Sequence, residues 1–229
     1  MRLRIVFSKD GLLAYTSHLD LARMWERSLR RAGVPLAYSQ GFNPRPRLQL
    51  AAALPLGHTG EAELLDIWLK KPMSVKGFSR ALVPMLPDGL TVRQVRQVKA
   101  KGPALQTQIV SAEYRVMVEW YPELVEGRDE PPKQIEARIE RVLAATELPQ
   151  EQRGRQHDLR PLIERLWLEK ASAGKVVLGM QLAARTGATA RPEAVLEALG
   201  TGGAFARYHR QRLMTDADES WLTKPRDSV

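Results

Sequence analysis

The chain has 229 residues, of which 44% are hydrophobic and 27% charged, and it carries a net charge of +9. This is the composition of a globular protein that buries a core, and no apolar run is long enough to cross a bilayer. Cysteine is absent, so the chain forms no disulfide and supplies no thiolate to zinc or to an iron–sulfur cluster. Since no apolar signal region follows Met1, we expect a cytoplasmic protein.

The first hundred residues alternate between strand and helix patterns. Residues 2–8 alternate in polarity, which predicts a half-buried strand. A helix follows, with Ser17 as its N-cap and Gly33 at its end. The next segments are predicted as three strands, a helix and a strand, over residues 34–39, 47–54, 63–70, 74–86 and 87–98. This order is the split βαβ arrangement of a ferredoxin-like domain.

The same element order recurs after residues 99–108, which we interpret as a linker. The predicted elements are a strand, a helix, a second short helix, a strand, a helix and a strand, over residues 111–120, 131–145, 157–170, 175–184, 191–200 and 206–215. We therefore predict an α+β fold of two tandem ferredoxin-like domains with antiparallel sheets. The domains span residues 1–104 and 105–229, and the second has a helical insertion and a frayed tail after Asp216.

The positive charge is concentrated in the N-terminal half. Residues 1–110 hold 17 lysines and arginines against 7 acids, whereas residues 111–229 hold 18 against 19. A basic half joined to a neutral half indicates a polyanionic partner, most often nucleic acid. A genome rich in G and C would explain the arginine, which is abundant in both halves. It does not explain why only the acids differ.

The first helix carries four arginines on the side opposite Trp25. Spacings of four and three residues place Arg23, Arg27 and Arg30 on one stripe, with Arg31 beside it. Guanidinium groups in a row along a helix form a surface that follows phosphates. The alternative is a solvated face with one internal ion pair, between Glu26 and Arg30.

The stretch YSQGFNPRPRLQL, residues 38–50, predicts a stiff basic loop next to this helix. Its two prolines hold the residues before them in extended conformations, so Arg45 and Arg47 are expected to project toward the same side. Phe42 offers a ring that can stack on an unpaired base. The alternative is that Phe42 folds back into the core and the prolines only shape a turn.

Taken together, the charge pattern, the helix and the loop define a set of candidate RNA-binding residues. The set is Arg2, Arg4, Arg23, Arg27, Arg30, Arg31, Phe42, Asn43, Arg45 and Arg47.

The sequence gives no direct sign of catalysis, of a metal site or of a cofactor. The four histidines are scattered without metal-ligand spacing, and no phosphate-binding or metalloprotease motif occurs. Ser17 and Asp20 are explained by helix capping, and Asp158 is expected to cap a second helix.

The segments SHLDLARMWERSLRRAGVPLAYSQGFNPRPRLQLAAALPLG, AELLDIWL and DLRPLI resemble a bacterial family of unknown function, the radical-SAM-linked proteins. The strong part of the match covers about the first 70 residues. The resemblance implies a radical SAM partner protein and a setting in RNA maturation or ribosome assembly. It carries over no catalytic residue, because the family has no established activity.

We therefore expect an RNA-binding accessory protein in ribosomal or transfer RNA maturation or modification, acting with a radical SAM partner. The first alternative is an RNA-modifying or RNA-cleaving enzyme in its own right, since pseudouridine synthases and CRISPR RNA endonucleases use tandem ferredoxin-like domains. The second is a protein-interaction module for the radical SAM partner. A cleft acid such as Asp158, away from any helix start, favours the synthase. A conserved apolar patch without basic neighbours favours the protein module.

Purified protein is expected to contain no iron–sulfur cluster and no stoichiometric zinc, because it has no cysteine and its histidines are scattered. Elemental analysis by mass spectrometry checks this directly. One metal ion per chain that survives dialysis against a chelator overturns the prediction.

Overall fold

The computed structural model describes residues 1–120, 134–152, 154–172, 174–201 and 204–216. Within these residues the protein is mixed α+β, with four α-helices and eleven strands. The chain divides into two compact units, one made of Met1–Ile109 with residues 215–216 and the other of Val110–Met214. None of the described helices is long and apolar enough to cross a membrane.

The first unit has the element order β-α-β-β-α-β. Its elements are β1 (Arg2–Lys9), α1 (His18–Arg31), β2 (Leu48–Leu50), β3 (His58–Trp68), α2 (Val75–Leu82) and β4 (Leu90–Val98). β1 pairs antiparallel with both β3 and β4, and β2 pairs antiparallel with β3. The strand order is therefore β4-β1-β3-β2.

The register of the central strand defines two ends of this sheet. Arg2 lies opposite Trp68 of β3 and opposite Val98 of β4, so β3 and β4 both finish at what we call the Arg2 end. Lys9 lies opposite Gly60 and Leu90, where β3 and β4 begin. We call this the Lys9 end.

Helix α1 forms where the sequence predicts it. Ser17 is the N-cap, and its hydroxyl accepts a hydrogen bond of 3.1 Å from the backbone N–H of Asp20. Leu21, Trp25 and Leu29 are buried on one face of the helix. The ring of Trp25 meets Phe7 of β1 edge-on, with 4.9 Å between centroids, which fixes the helix on the sheet.

Strand β1 is buried on both faces, not on one as its alternation predicts. All eight of its residues are buried, including Arg2 and Arg4, each 2% exposed. The cause is Asp66 of β3, which is fully buried and lies directly opposite Arg4. Its carboxylate accepts hydrogen bonds from both guanidinium groups, with Nε of each arginine at 2.9 Å. Buried charges are tolerated when they are paired and hydrogen-bonded in this way.

Residues 99–108 complete this polar layer and are not a free linker. The carbonyl oxygen of Pro103 accepts a hydrogen bond of 3.3 Å from Arg2, and the side-chain oxygen of Gln108 accepts one of 3.1 Å from Arg4. Leu105 is fully buried. The segment therefore packs against the first unit and supplies a further acceptor to each of the two arginines.

The second unit repeats the order of strands and helices with additions. Its elements are β5 (Ile109–Glu119), α3 (Ile135–Ala144), β6 (Pro149–Gln152), β7 (Arg155–Asp158), β8 (Ile163–Ser172), β9 (Lys175–Arg185), β10 (Ala188–Thr189), α4 (Pro192–Ala198) and β11 (Phe205–Thr215). β9 pairs antiparallel with β5, β8 and β10, and β5 is also the neighbour of β11. β6 and β7 form a separate antiparallel hairpin.

The helix predicted over residues 157–170 is wrong. Pro161 lies in a short 3-10 helix, Arg160–Leu162, and the chain then pairs with β9 as strand β8. The register of β8 shifts twice, between Ile163 and Arg165 and again between Leu168 and Lys170. Two such bulges break the two-residue alternation, so the apolar spacing imitates a helix. The insertion is thus the β6–β7 hairpin, and the tail predicted to fray lies outside the described residues.

Replacing Asp66 with alanine is expected to destabilise the protein by about 3–5 kcal/mol, because it leaves two buried guanidinium groups without their shared anion. Urea denaturation followed by circular dichroism measures the effect. Asp20→Ala is the matched control, since it removes an aspartate whose ion pair with Arg23 is exposed. The control is expected to lower stability by no more than about 1 kcal/mol, because an exposed ion pair and a carboxylate in the first turn of a helix contribute little. Equal midpoints for the two variants would contradict the assignment of Asp66.

Candidate nucleic-acid interface

The loop of residues 38–47 is a hairpin closed by backbone hydrogen bonds. Tyr38 pairs with Pro46 in an antiparallel bridge. One step further out, Ser39 N–H donates to the carbonyl oxygen of Arg45 at 2.8 Å, and Arg45 N–H donates to the Ser39 hydroxyl at 3.0 Å. The two prolines predict a stiff loop, and in the structure the two arms of this loop are paired by hydrogen bonds.

Phe42 stands at the tip of this hairpin and is fully exposed, at 106% of its reference area. The alternative that the ring folds into the core is therefore wrong. Its neighbour Asn43 is also exposed. Gly41 has φ of 140°, in a region that favours glycine, and this allows the chain to turn just before the ring. A large aromatic side chain without packing partners is available to stack on a ligand.

Trp68, at the end of β3, connects the hairpin to the sheet. The guanidinium carbons of Arg2 and Arg47 lie 4.7 Å and 4.9 Å from the centroid of its ring. Its indole N–H donates to the carbonyl oxygen of Ala100 at 3.4 Å. Trp68 thus gathers β1, the hairpin and the segment after β4 at the Arg2 end, and cation–π contacts hold Arg47 in place.

Four lysines missed by the sequence analysis also lie at this end. Lys70 and Lys71 follow β3, Lys99 and Lys101 follow β4, and all four are exposed. Because both strands are antiparallel to β1, they finish side by side next to Arg2. The predicted split βαβ order could have revealed this convergence. We call the exposed set Arg45, Arg47, Lys70, Lys71, Lys99 and Lys101 the basic end.

Helix α1 adds its arginines to the same unit. Arg30 lies beside the hairpin, with its guanidinium carbon 5.9 Å from the centroid of Tyr38, and it also pairs with Glu26 at 2.7 Å. Arg27 and Arg31 are exposed. Arg23 is exposed too but is bound to Asp20 at 3.0 Å near the start of the helix. The pair expected between Glu26 and Arg30 therefore exists, and the other arginines keep their charge at the surface.

Arg2 and Arg4 are not where the sequence analysis places them. Both were expected at the surface with the RNA-binding set, but both are buried and bound to Asp66. The reason is that the polar face of β1 is covered, so its arginines serve the core. Arg2 also contacts the ring of Trp68, which in turn contacts Arg47 of the basic end.

The two aspartates singled out in the sequence have structural roles. Hydrogen bonds from the Ser17 hydroxyl and the Arg23 guanidinium lower the pKa of Asp20. Backbone N–H groups of Leu148 and Arg160, at 2.7 Å and 2.9 Å, lower the pKa of Asp158. Asp158 thus organises the start of the 3-10 helix and is not an unassigned acid in a cleft.

The second unit contains a cavity of about 220 Å³ that could be mistaken for an active site. Its lining includes Glu151, Glu193 and Glu197 but only one arginine, Arg191, together with His157. Carboxylates in this excess repel a phosphate-bearing ligand. Among the described residues, no group of three or more histidines and acids is placed to hold a metal ion.

The fold and the surface define a mixed α+β protein with a paired hairpin that exposes cations and, at its tip, the fully exposed ring of Phe42. By sequence, the chain belongs to a family described as an uncharacterized protein conserved in bacteria (DUF2344), whose model matches residues 2–192. No curated protein matches the sequence at a significant level.

Solved structures show a similar fold. A Cbf5–Nop10–Gar1 complex matches with a TM-score of 0.53 and 10% identity, over 94% of this chain and 50% of the other. The Nop10–Cbf5 complex of an archaeal box H/ACA sRNP matches with a TM-score of 0.50 and 12% identity, again over 94% of this chain and 50% of the other. This chain spans about half the length of each matched chain, and at such low identity the likeness concerns the fold alone.

Replacing Phe42 with alanine is expected to leave the melting temperature unchanged, because the ring is fully exposed and its loss opens no cavity. RNA affinity is expected to fall by about 1–3 kcal/mol with an unchanged salt dependence, because a stacked base is lost and no charge is removed. Thermal unfolding and titration with single-stranded oligouridine measure the two effects.

Phe42→Trp is the matched control, since it keeps a stacking surface and is expected to restore affinity. Phe42→Leu keeps an apolar side chain without a π-face and is expected to bind as weakly as the alanine variant. Wild-type affinity in the alanine variant refutes a stacking role for the ring.

Proposed function

We propose that this protein binds RNA through the hairpin of residues 38–47, the rest of the basic end and the exposed arginines of α1. The observation that carries the proposal is the exposed Phe42 ring at the tip of a rigid arm that also presents Arg45. A cationic surface with one stacking residue suits RNA that has unpaired bases, because phosphates meet the cations while a base meets the ring.

The charge distribution supports the same proposal. The six members of the basic end come from three separate segments, and no acid of residues 1–110 belongs to it. Such a concentration of like charge on a small surface is favourable only when a polyanion neutralises it. A merely solvated surface has no need to bring the ends of two strands and a hairpin together.

The structural neighbours agree with this setting. The matched structures are described as a Cbf5–Nop10–Gar1 complex and as part of an archaeal box H/ACA sRNP. Their fold supports an RNA-related role for this chain, in ribosomal or transfer RNA maturation or modification. A reaction is not part of the proposal, because Asp158 is engaged by backbone N–H groups and the cavity of the second unit is acidic.

Two further points belong to the proposal, namely the partner of this protein and the fold of its two units. The partner is a radical SAM protein, proposed on the resemblance of SHLDL, RRAG and YSQGFNP to the radical-SAM-linked proteins. For the fold, we propose that both units are ferredoxin-like. The support is the matching strand order, β4-β1-β3-β2 in the first unit and β11-β5-β9-β8 in the second.

Replacing Arg45 and Arg47 together with alanine is expected to weaken binding to all RNA sequences alike. It should also reduce the slope of log affinity against log salt by about 0.7–0.9 per lost phosphate contact, because each contact releases counterions. Titrations of oligouridine and of a random single-stranded pool at three salt concentrations measure both quantities.

The control for this experiment is the double variant Arg185→Ala and Arg207→Ala. It removes the same charge from exposed arginines of the second unit and should keep most of the affinity and the salt slope. If the control lowers the slope as much as the hairpin variant does, binding is a response to net charge, and the proposed surface is rejected.

A further inference from the structure

The Lys9 end of the first unit carries an exposed apolar surface. Leu12 and Tyr15 lie in the 3-10 helix Gly11–Tyr15, Leu19 in the first turn of α1, and Leu56 just before β3. Their exposures are 88%, 74%, 68% and 63%. These four residues, which we call the apolar patch, are half of the large hydrophobic side chains exposed among the described residues.

The backbone beneath the apolar patch is fixed. Gly57 N–H donates to the carbonyl oxygen of Ala14 at 2.9 Å, which brings the segment with Leu56 against the 3-10 helix. Lys9 is fully buried, and its Nζ lies 3.2 Å from the carbonyl oxygen of Thr16. A buried ammonium group must keep such acceptors, so the lysine holds the connection between β1 and α1 in one conformation.

Acids surround this patch. Asp10 follows β1, Asp88 precedes β4, Glu61 follows the residue opposite Lys9, and Asp20 lies in the first turn of α1. They are four of the seven acids in residues 1–110, and Asp20, Glu61 and Asp88 are exposed. The acids of the first unit therefore gather at the end opposite the basic end.

We propose that the apolar patch is a docking surface for a partner protein, which contributes an apolar segment flanked by lysine or arginine. An exposed apolar area with a polar rim is the mark of a protein interface. The acidic rim selects a basic partner segment and repels RNA phosphates. Arg23 pairs with Asp20 at 3.0 Å, so these two charges offset each other and the net negative charge of the rim comes from Asp10, Glu61 and Asp88.

The acidic rim also excludes a second copy of the chain as the occupant. In a twofold contact the same surface meets itself, so Asp10, Glu61 and Asp88 of one copy approach those of the other. Like charges brought together across an interface oppose association. The surface is thus suited to a different chain of opposite charge.

A photo-crosslinking experiment on the full chain tests this inference. Benzoylphenylalanine is placed in the living source cell at Leu19, at Phe42 at the tip of the hairpin, and at Val83, which is exposed but outside both surfaces. Leu19 is expected to yield one discrete protein adduct that is absent at Val83. Mass spectrometry is expected to place the crosslink in an apolar segment with neighbouring lysine or arginine residues.

A second variant connects the adduct to the apolar patch. Adding Leu12→Ser and Leu56→Ser to the Leu19 probe is expected to reduce the adduct at least tenfold. RNA titration of the same variant is expected to match the wild type, and this separates failure of docking from failure of RNA binding. An RNA adduct at Leu19, an adduct with a second copy, a crosslinked segment without basic residues, or no adduct above the Val83 background each overturns the proposal.

Discussion

A single carboxylate held between two arginines sets the structure of the first unit. Asp66 is fully buried in β3 and accepts hydrogen bonds from Arg2 and Arg4 of β1. Removing three charges from water costs several kcal/mol per ion, and the cost is met only when every donor finds an acceptor. Residues 99–108 fold back over the strands and help to meet this cost, since Pro103 and Gln108 supply further acceptors. The network thereby fixes the path of the chain after β4, and with it the positions of Lys99 and Lys101 in the basic end.

The first unit separates its charges along its central strand. The cations collect at the Arg2 end, where two strands finish and Trp68 receives Arg2 and Arg47. Four of the seven acids of residues 1–110, namely Asp10, Asp20, Glu61 and Asp88, lie at the Lys9 end with the apolar patch. An eight-residue strand is about 26 Å long at roughly 3.3 Å per residue. At that distance, salt largely screens one end from the other. The proposed RNA-binding surface and the proposed docking surface are therefore separate, and occupation of one does not block the other.

The helices and strands of the first unit could be predicted from the sequence, because their signals lie in residues that are close together in the chain. Ser17 caps α1, and Leu21, Trp25 and Leu29 repeat on its inner face. The prolines predict an extended backbone around Arg45, but they leave the position of Phe42 open, because a single ring before a turn can point either way. Only the paired arms of the hairpin decide its direction.

The failures involve partners that are distant in sequence. Arg2 and Arg4 read as surface residues, since nothing near them indicates that Asp66, more than sixty positions away, lies opposite. Strand β8 was hidden by its two bulges, whose register shifts are set by its pairing with β9. The lysines after β3 and β4 become a group only through the strand order. Sequence patterns predict the features that depend on neighbouring residues. They miss the burial, the bulges and the residue groupings that depend on strand pairing across the sheet.

The prolines of the hairpin have a consequence for solubility. Along the arm, Arg45 and Arg47 turn their N–H groups inward, to Ser39 and to Ala37. The residues that alternate with them are the exposed Pro44 and the buried Pro46, and neither has an N–H group. The outer edge of this projecting arm therefore lacks the donors that another chain needs to add a strand. A long, exposed, cation-bearing hairpin is thus kept from acting as a template for edge-to-edge aggregation.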